Sequence, residues 1–267
     1  MERQSARVES EFTGMVRMNR TLLGFGFAVL GFAVSAQGVF ARPAVSEEEA
    51  VQACSVDAIK GVTMPADRMP QIPFDKMTPD QKKAAIDGFS VREADDFHKA
   101  STTNTPVVTP PYAVLLRSPE VLLHMKRLNV YLQDHSSLPM KLRQFVVMIT
   151  ARQWSVQYTY AVHCPQAVQA GISPETARAI GEGRRPVGMA EDEQLVYDFL
   201  DELDRTHSVS DETYARALEK FGEQGIVDMV SLHGWYTFFL MNANVARIPW
   251  RNDKTGKPAT SLPVFPH

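Results

Sequence analysis

The stretch LPMKLRQFVVMITARQWSVQYTYAVHCPQAVQAG, residues 138–171, decides the fold. Leu138-Pro139 opens a helix, since proline tolerates the first helical turn, and Leu142, Phe145, Val146, Ile149 and Arg152 then recur along one side at helical spacing as far as Trp154. A second helix follows over residues 158–170 and stops at Gly171. Neither half alternates apolar and polar residues as a strand would.

The same signals repeat on both sides of this stretch. Upstream, Thr78-Pro79-Asp80 starts a short helix to Ile86 that Gly88 ends, and Ser118-Pro119-Glu120 starts another with Val121, Leu122, Met125, Leu128 and Leu132 as its apolar stripe. Downstream, Ser173-Pro174-Glu175 caps a short helix, residues 183–188 form a turn, and an acidic amphipathic helix covers residues 190–207. Ser210-Asp211-Glu212 starts a helix through Phe221, and a last one spans residues 226–248 with apolar side chains around most of its circumference. That pattern places the last helix in the core or at a subunit interface. The pattern predicts an all-α protein without internal repeats. Residues 101–111, rich in Thr and Pro, read as a long loop covering a pocket.

The remaining segments divide the 267-residue chain into a signal peptide and leader (1–41), an N-terminal arm (42–77), a helical domain (78–250) and a C-terminal tail (251–267). Arg17 and Arg20 precede an apolar run over residues 22–34, and small residues follow at Ser35, Ala36 and Ala41, the order of a secretory signal. The expected location is periplasmic or secreted, without a membrane association once the signal is removed. A formal net charge of -3 gives no electrostatic attraction to nucleic acid or to an anionic membrane. Export leaves two readings of Cys54 and Cys164: a bridge tying the arm to the domain, or two buried free thiols, of which the second is expected.

Within residues 156–163, helical spacing puts Val156, Thr159, Tyr160 and His163 on one stripe, so one face presents an imidazole beside two hydroxyls. A lone histidine is more often a core residue bonded to a backbone carbonyl, and its surroundings decide the matter. Those surroundings, with Leu142-Arg143, Ala151-Arg152, Trp154, Gln157-Tyr158, His163, Ala167 and Ala170-Gly171, followed by residues 210–221 and 234–249, resemble the carboxymuconolactone decarboxylase family, which includes proteins like alkyl hydroperoxidase D. The resemblance covers residues 69–249. It implies an all-α bundle that assembles as a homotrimer or homohexamer, with a pocket near a subunit boundary.

In the peroxidatic branch of that family a glutamate primes a Cys-x-x-Cys pair, and a histidine follows four residues after the second cysteine. The matching positions here are Gln144, Val156, Thr159 and His163. Peroxide reduction by that route needs a thiolate and a resolving thiol, so thiol peroxidase activity is rejected. The decarboxylase branch implies a histidine site with an aromatic and polar lining. Such chemistry needs an anchor for a carboxylate, a polar group at a developing enolate oxygen, and a proton donor near pH 7. His163 fits the donor, as general acid/base, Gln144, Thr159 and Tyr160 are its polar neighbours, and either Arg152, beside Trp154, or Arg143 fits the anchor, although an arbitrary arginine more often pairs with a surface acid. His233 and Asn244, on one stripe of the last helix, either line the same pocket or bond between helices. No carboxylate or second histidine stands at ligand spacing on either helix, so neither a metal nor any other cofactor is expected. His98, His124, His135, His207 and His267 are expected at the surface.

The resemblance thus implies a cofactor-independent enzyme acting on a small lactone-like or ring-containing organic acid by decarboxylation or related lyase or isomerase chemistry, of the kind met in the catabolism of aromatic compounds. The other reading is a binding or assembly protein that kept the fold and lost catalysis.

Overall fold

The computed structural model describes residues 45–54, 67–89, 108 and 110–248. The expected signal peptide, most of the loop at 101–111, the tail, His98 and His267 lie outside the described residues. Every element among them is helical. In chain order these are α1 (Glu47–Ala53), a 3-10 turn (Phe74–Lys76), α2 (Pro79–Phe89), α3 (Pro110–Leu115), α4 (Pro119–Asp134), α5 (Met140–Gln153), α6 (Gln157–Gln169), α7 (Pro174–Gly181), α8 (Glu191–Thr206) and α9 (Asp211–Ala246). The expected all-α class holds. No helix among the described residues is long and apolar enough to cross a membrane.

The caps explain where the helices begin. Ser46 accepts the Glu49 amide while the Glu49 carboxylate accepts from the Ser46 amide, a capping box that lets the seven-residue α1 exist at all. Ser173 and Ser210 cap α7 and α9 in the same way through their hydroxyls. Gly88 does not end α2 at residue 86 as expected. It sits inside the helix, and a Cβ there would lie 3.9 Å from Leu123, so α4 packs closely on this point. The two helices expected at 210–221 and 226–248 run together as α9, broken only at Gly222, whose φ of 66° is one that glycine adopts without strain.

At the centre stands α5, packed by α6, α7, α8 and α9. Its residues 144–148, 150 and 151 are all buried, whereas Ile149, expected on its inner stripe, is only partly covered. A helix enclosed by four others buries more than one stripe, which is why the one-sided reading of its sequence was too narrow. Buried Phe145, Tyr160, Leu200, Leu232 and Leu240 join α5, α6, α8 and α9 in one core. The turn from α4 into α5 is held from α9 by the buried Asp228 carboxylate. It accepts from Ser137 N at 2.7 Å, Ser137 Oγ at 2.8 Å, Ser136 Oγ at 3.1 Å and Tyr131 OH at 3.3 Å.

The two cysteines are not free thiols as expected: Cys54 and Cys164 form a disulfide. Small Ala50 and Ala53 let α1 seat against α6 and α7, which brings the two Cα atoms to 5.9 Å. The bridge closes a separation of 110 residues and fixes the N-terminal arm to the bundle. Further along, the arm is tied again where Arg68 N donates to the Ala246 carbonyl at 2.8 Å.

Only one long face of the second half of α9 lacks cover in the single chain. Val227 and Val245 are 61% and 58% exposed, with Val230, Gly234 and Met241 also exposed between them. Trp235, Tyr236, Phe239 and Leu240 face inward instead.

Candidate functional site

The residues expected to form one site are distributed over three places. The first is His163, on α6. Its Nδ1 lies 2.7 Å from Gln144 Oε1 on α5, and its Nε2 lies 3.2 Å from the Tyr236 hydroxyl on α9. An amide oxygen only accepts, so Nδ1 carries the proton and Nε2 accepts from Tyr236. Tyr236 in turn accepts from Gln133 Nε2 at 3.2 Å and bonds to Asn129, whose Oδ1 accepts from Tyr112 OH at 3.2 Å. A polar chain therefore crosses the apolar bundle from α3 through α4 and α9 to α6 and α5. The His163 and Tyr236 rings meet edge to face, with centroids 5.4 Å apart.

His163 is half-buried by its surface, but its ring lies deep enough in protein that loss of hydration pushes its pKa down to about 4. The same burial pushes the Tyr236 hydroxyl far above its ordinary value. At pH 7 the pair is a neutral phenol donating to a neutral imidazole. Nε2 of the uncharged ring is thus a hydrogen-bond acceptor.

Tyr160 and Thr159 do not complete this site. The Tyr160 hydroxyl leaves the stripe and donates to the Ala177 carbonyl at 2.6 Å, holding α7 onto α6, and burial raises its pKa. Thr159 is buried. The hydroxyl beside His163 is that of Tyr236, which sequence reasoning did not single out. It stands 73 residues further along the chain, on the last helix, with no local spacing that links it to His163.

The second place is a cavity of about 190 Å³ between α5, the end of α7 and α8, lined by Arg152, Arg184, Tyr197 and Asp204 together with Ile149 and Ile180. Arg152 is in it, but neither His163 nor Gln144 is. Gln144 and Arg152 are eight residues apart on α5, about 12 Å along the axis, so the His163 contacts and the cavity lie at different levels of one helix. His233 stands behind this cavity. Its Nε2 meets Asp204 Oδ1 at 2.8 Å and its Nδ1 meets Thr150 Oγ1 at 2.9 Å. Thr150 is fully buried and also donates to the Val146 carbonyl, so this Thr-His-Asp series holds three helices together and presents no nucleophile.

The third place is the end of α5, where Asn244 Nδ2 donates to the Trp154 carbonyl at 2.9 Å. Of the two readings left open for His233 and Asn244, the structure gives the second, bonding between helices. Among the described residues no three potential metal ligands cluster. His124, His135 and His207 are exposed as expected.

No family model and no curated protein matches the chain.

Proposed function

We propose that the protein is a cofactor-independent enzyme of the carboxymuconolactone decarboxylase type, exported, and acting on a small lactone-like or ring-containing organic acid. The observation that carries this reading is the His163 ring held between Gln144 and Tyr236 with part of its residue still in contact with solvent. An apolar bundle has no structural need for five polar side chains in series through its middle, and a connected polar chain of this kind fixes one tautomer and one ring orientation.

A neutral imidazole starts the cycle as a base. Nε2 takes a proton from a carbon next to the carbonyl of the substrate once Tyr236 swings off it, and Gln144 keeps Nδ1–H pointed away. The imidazolium, destabilised by burial, then returns the proton readily to a neighbouring carbon. Tyr236, kept protonated by its surroundings, is the donor for the developing enolate oxygen. Proton abstraction and return, as in isomerisation, fits this order better than a decarboxylation that needs a charged donor from the outset. The exposed face of α9 supports assembly as a homotrimer or homohexamer through Val227 to Val245.

The test compares the full chain with His163→Ala on a panel of lactone acids, following CO₂ release and isomerised product. Loss of turnover in the variant supports the reading, and equal turnover removes His163 from the mechanism. One observation favours a second reading, a binding protein without catalysis: both nitrogens of His163 are already satisfied by the chain itself. Ligand-induced thermal stabilisation without any product across the same panel supports that one.

A further inference from the structure

We propose that the cavity between α5, α7 and α8 binds a small monocarboxylic acid carrying a hydroxyl or ammonium group at its far end. The cavity, of about 190 Å³, exceeds the roughly 150 Å³ that suffices for a benzene-sized molecule. Arg152 is part of its lining, a residue only 5% exposed, whose Nη1 donates to Ser155 Oγ at 3.1 Å. A guanidinium stripped of most of its water gains more from a carboxylate than an exposed one does, and its planar fork matches the two oxygens. Arg184 stands at the rim, where solvent weakens its hold on a carboxylate, so the buried Arg152 carries it.

The opposite wall sets the selectivity. Asp201 and Asp204 on α8 both line the cavity, and they repel a second anionic group while accepting a hydrogen bond from a hydroxyl or ammonium. Asp204 is held in place by His233 on Oδ1 and by Gln153 on Oδ2, which leaves it lone pairs for a ligand. Ile149 and Ile180 face the middle of the ligand, beside the Tyr197 ring, which is itself backed by the Arg185 guanidinium 5.0 Å from its centroid. This inference is independent of the chemistry at His163.

The experiment is a calorimetric titration of the full-length protein with 4-hydroxybutyrate, 4-aminobutyrate, butyrate and succinate. The first two saturate and bind at least about fivefold tighter than butyrate, with succinate weakest. Arg152→Gln weakens them about tenfold or more, and Asp201→Asn, at an exposed position, removes the preference for 4-aminobutyrate over butyrate. Because Arg152 is buried and its variant is at risk of misfolding, Ile149→Phe serves as a second probe: it fills the cavity without removing a charge and abolishes binding. The proposal is overturned by no saturation up to about 20 mM of any of the four acids, by succinate binding as tightly as 4-hydroxybutyrate, or by full affinity in Ile149→Phe. Turnover is not read, so failure here leaves the His163 reading standing, and failure of that reading leaves this one.

Discussion

The Tyr236 hydroxyl donates to Nε2 of His163 across 3.2 Å, and this contact between α9 and α6 sets the protonation of the whole polar chain. With Nε2 an acceptor and Nδ1–H given to Gln144, both groups are neutral where they meet. A charged imidazole in the same place would give up its bond from Tyr236 and still lack a carboxylate among its two partners.

That arrangement makes stability depend on pH with a defined sign. The folded-state pKa of His163 is depressed to about 4 from an ordinary 6.5, so between these values the unfolded chain binds the extra proton. The stabilisation is complete above pH 6.5 and is lost as pH falls towards 4. Allowing for the residual solvent contact of the residue, the loss attributable to this group is about 2 kcal/mol. Urea titrations of the wild type and of His163→Gln at pH 7 and pH 4.5 check it, since the variant lacks this component. His163 itself titrating near 6.5 by NMR overturns the assignment.

The helices were legible in the sequence because proline and serine starts and three-four spacing are local properties. The bundle's centre was not. Whether α5 buries one stripe or nearly its whole circumference depends on how many helices surround it, which no window of its own sequence contains. The same limit divided the site. Spacing correctly placed Tyr160 one turn before His163, but the hydroxyl at the end of a long side chain goes to the nearest acceptor on another helix, and that acceptor is the Ala177 carbonyl. Gln144 was found only because a family resemblance pointed at its position. Tyr236, 73 residues away in the chain, had no local signal linking it to His163.

Asp228 is expected to be the most sensitive polar position outside the His163 chain. Its carboxylate accepts from the Ser137 amide and from three hydroxyls at the α4–α5 turn, so Asp228→Ala strands a backbone donor and opens the Leu138-Pro139 helix start. The expected cost is about 2–4 kcal/mol in denaturant unfolding. Asp228→Asn keeps the shape and costs less. Two variants as stable as the wild type show that the turn holds itself.

The disulfide predicts a response to reductant. Closing a loop of about this length restricts the unfolded chain by roughly 4–5 kcal/mol in the loop-entropy account. Incubation with dithiothreitol, or the Cys54→Ser and Cys164→Ser pair, lowers the melting temperature and frees α1 from α6. Limited proteolysis then cuts within α1 at lower protease concentration than in the oxidised protein. An unchanged melting temperature after verified reduction contradicts the role given to the bridge.

The last expectation concerns the face of α9 that the single chain leaves open. Val227, Val230, Met241 and Val245 follow one another at steps of three, eleven and four residues, which keep to one side of the helix, and no charged residue interrupts them. Two such valines more than half exposed are a poor match for water, and a symmetric assembly that covers them in every copy removes the mismatch with a single patch. The double substitution Val227→Lys/Val245→Lys places charge at both ends of that patch while leaving Met229, Leu232, Tyr236 and the rest of the inward face untouched. By light scattering at micromolar concentration the wild type has a mass that is a multiple of the chain, and the double variant has that of one chain. Circular dichroism distinguishes lost assembly from lost fold, since helicity is retained in the variant. A wild type already monomeric under these conditions leaves the α9 face without the role proposed for it.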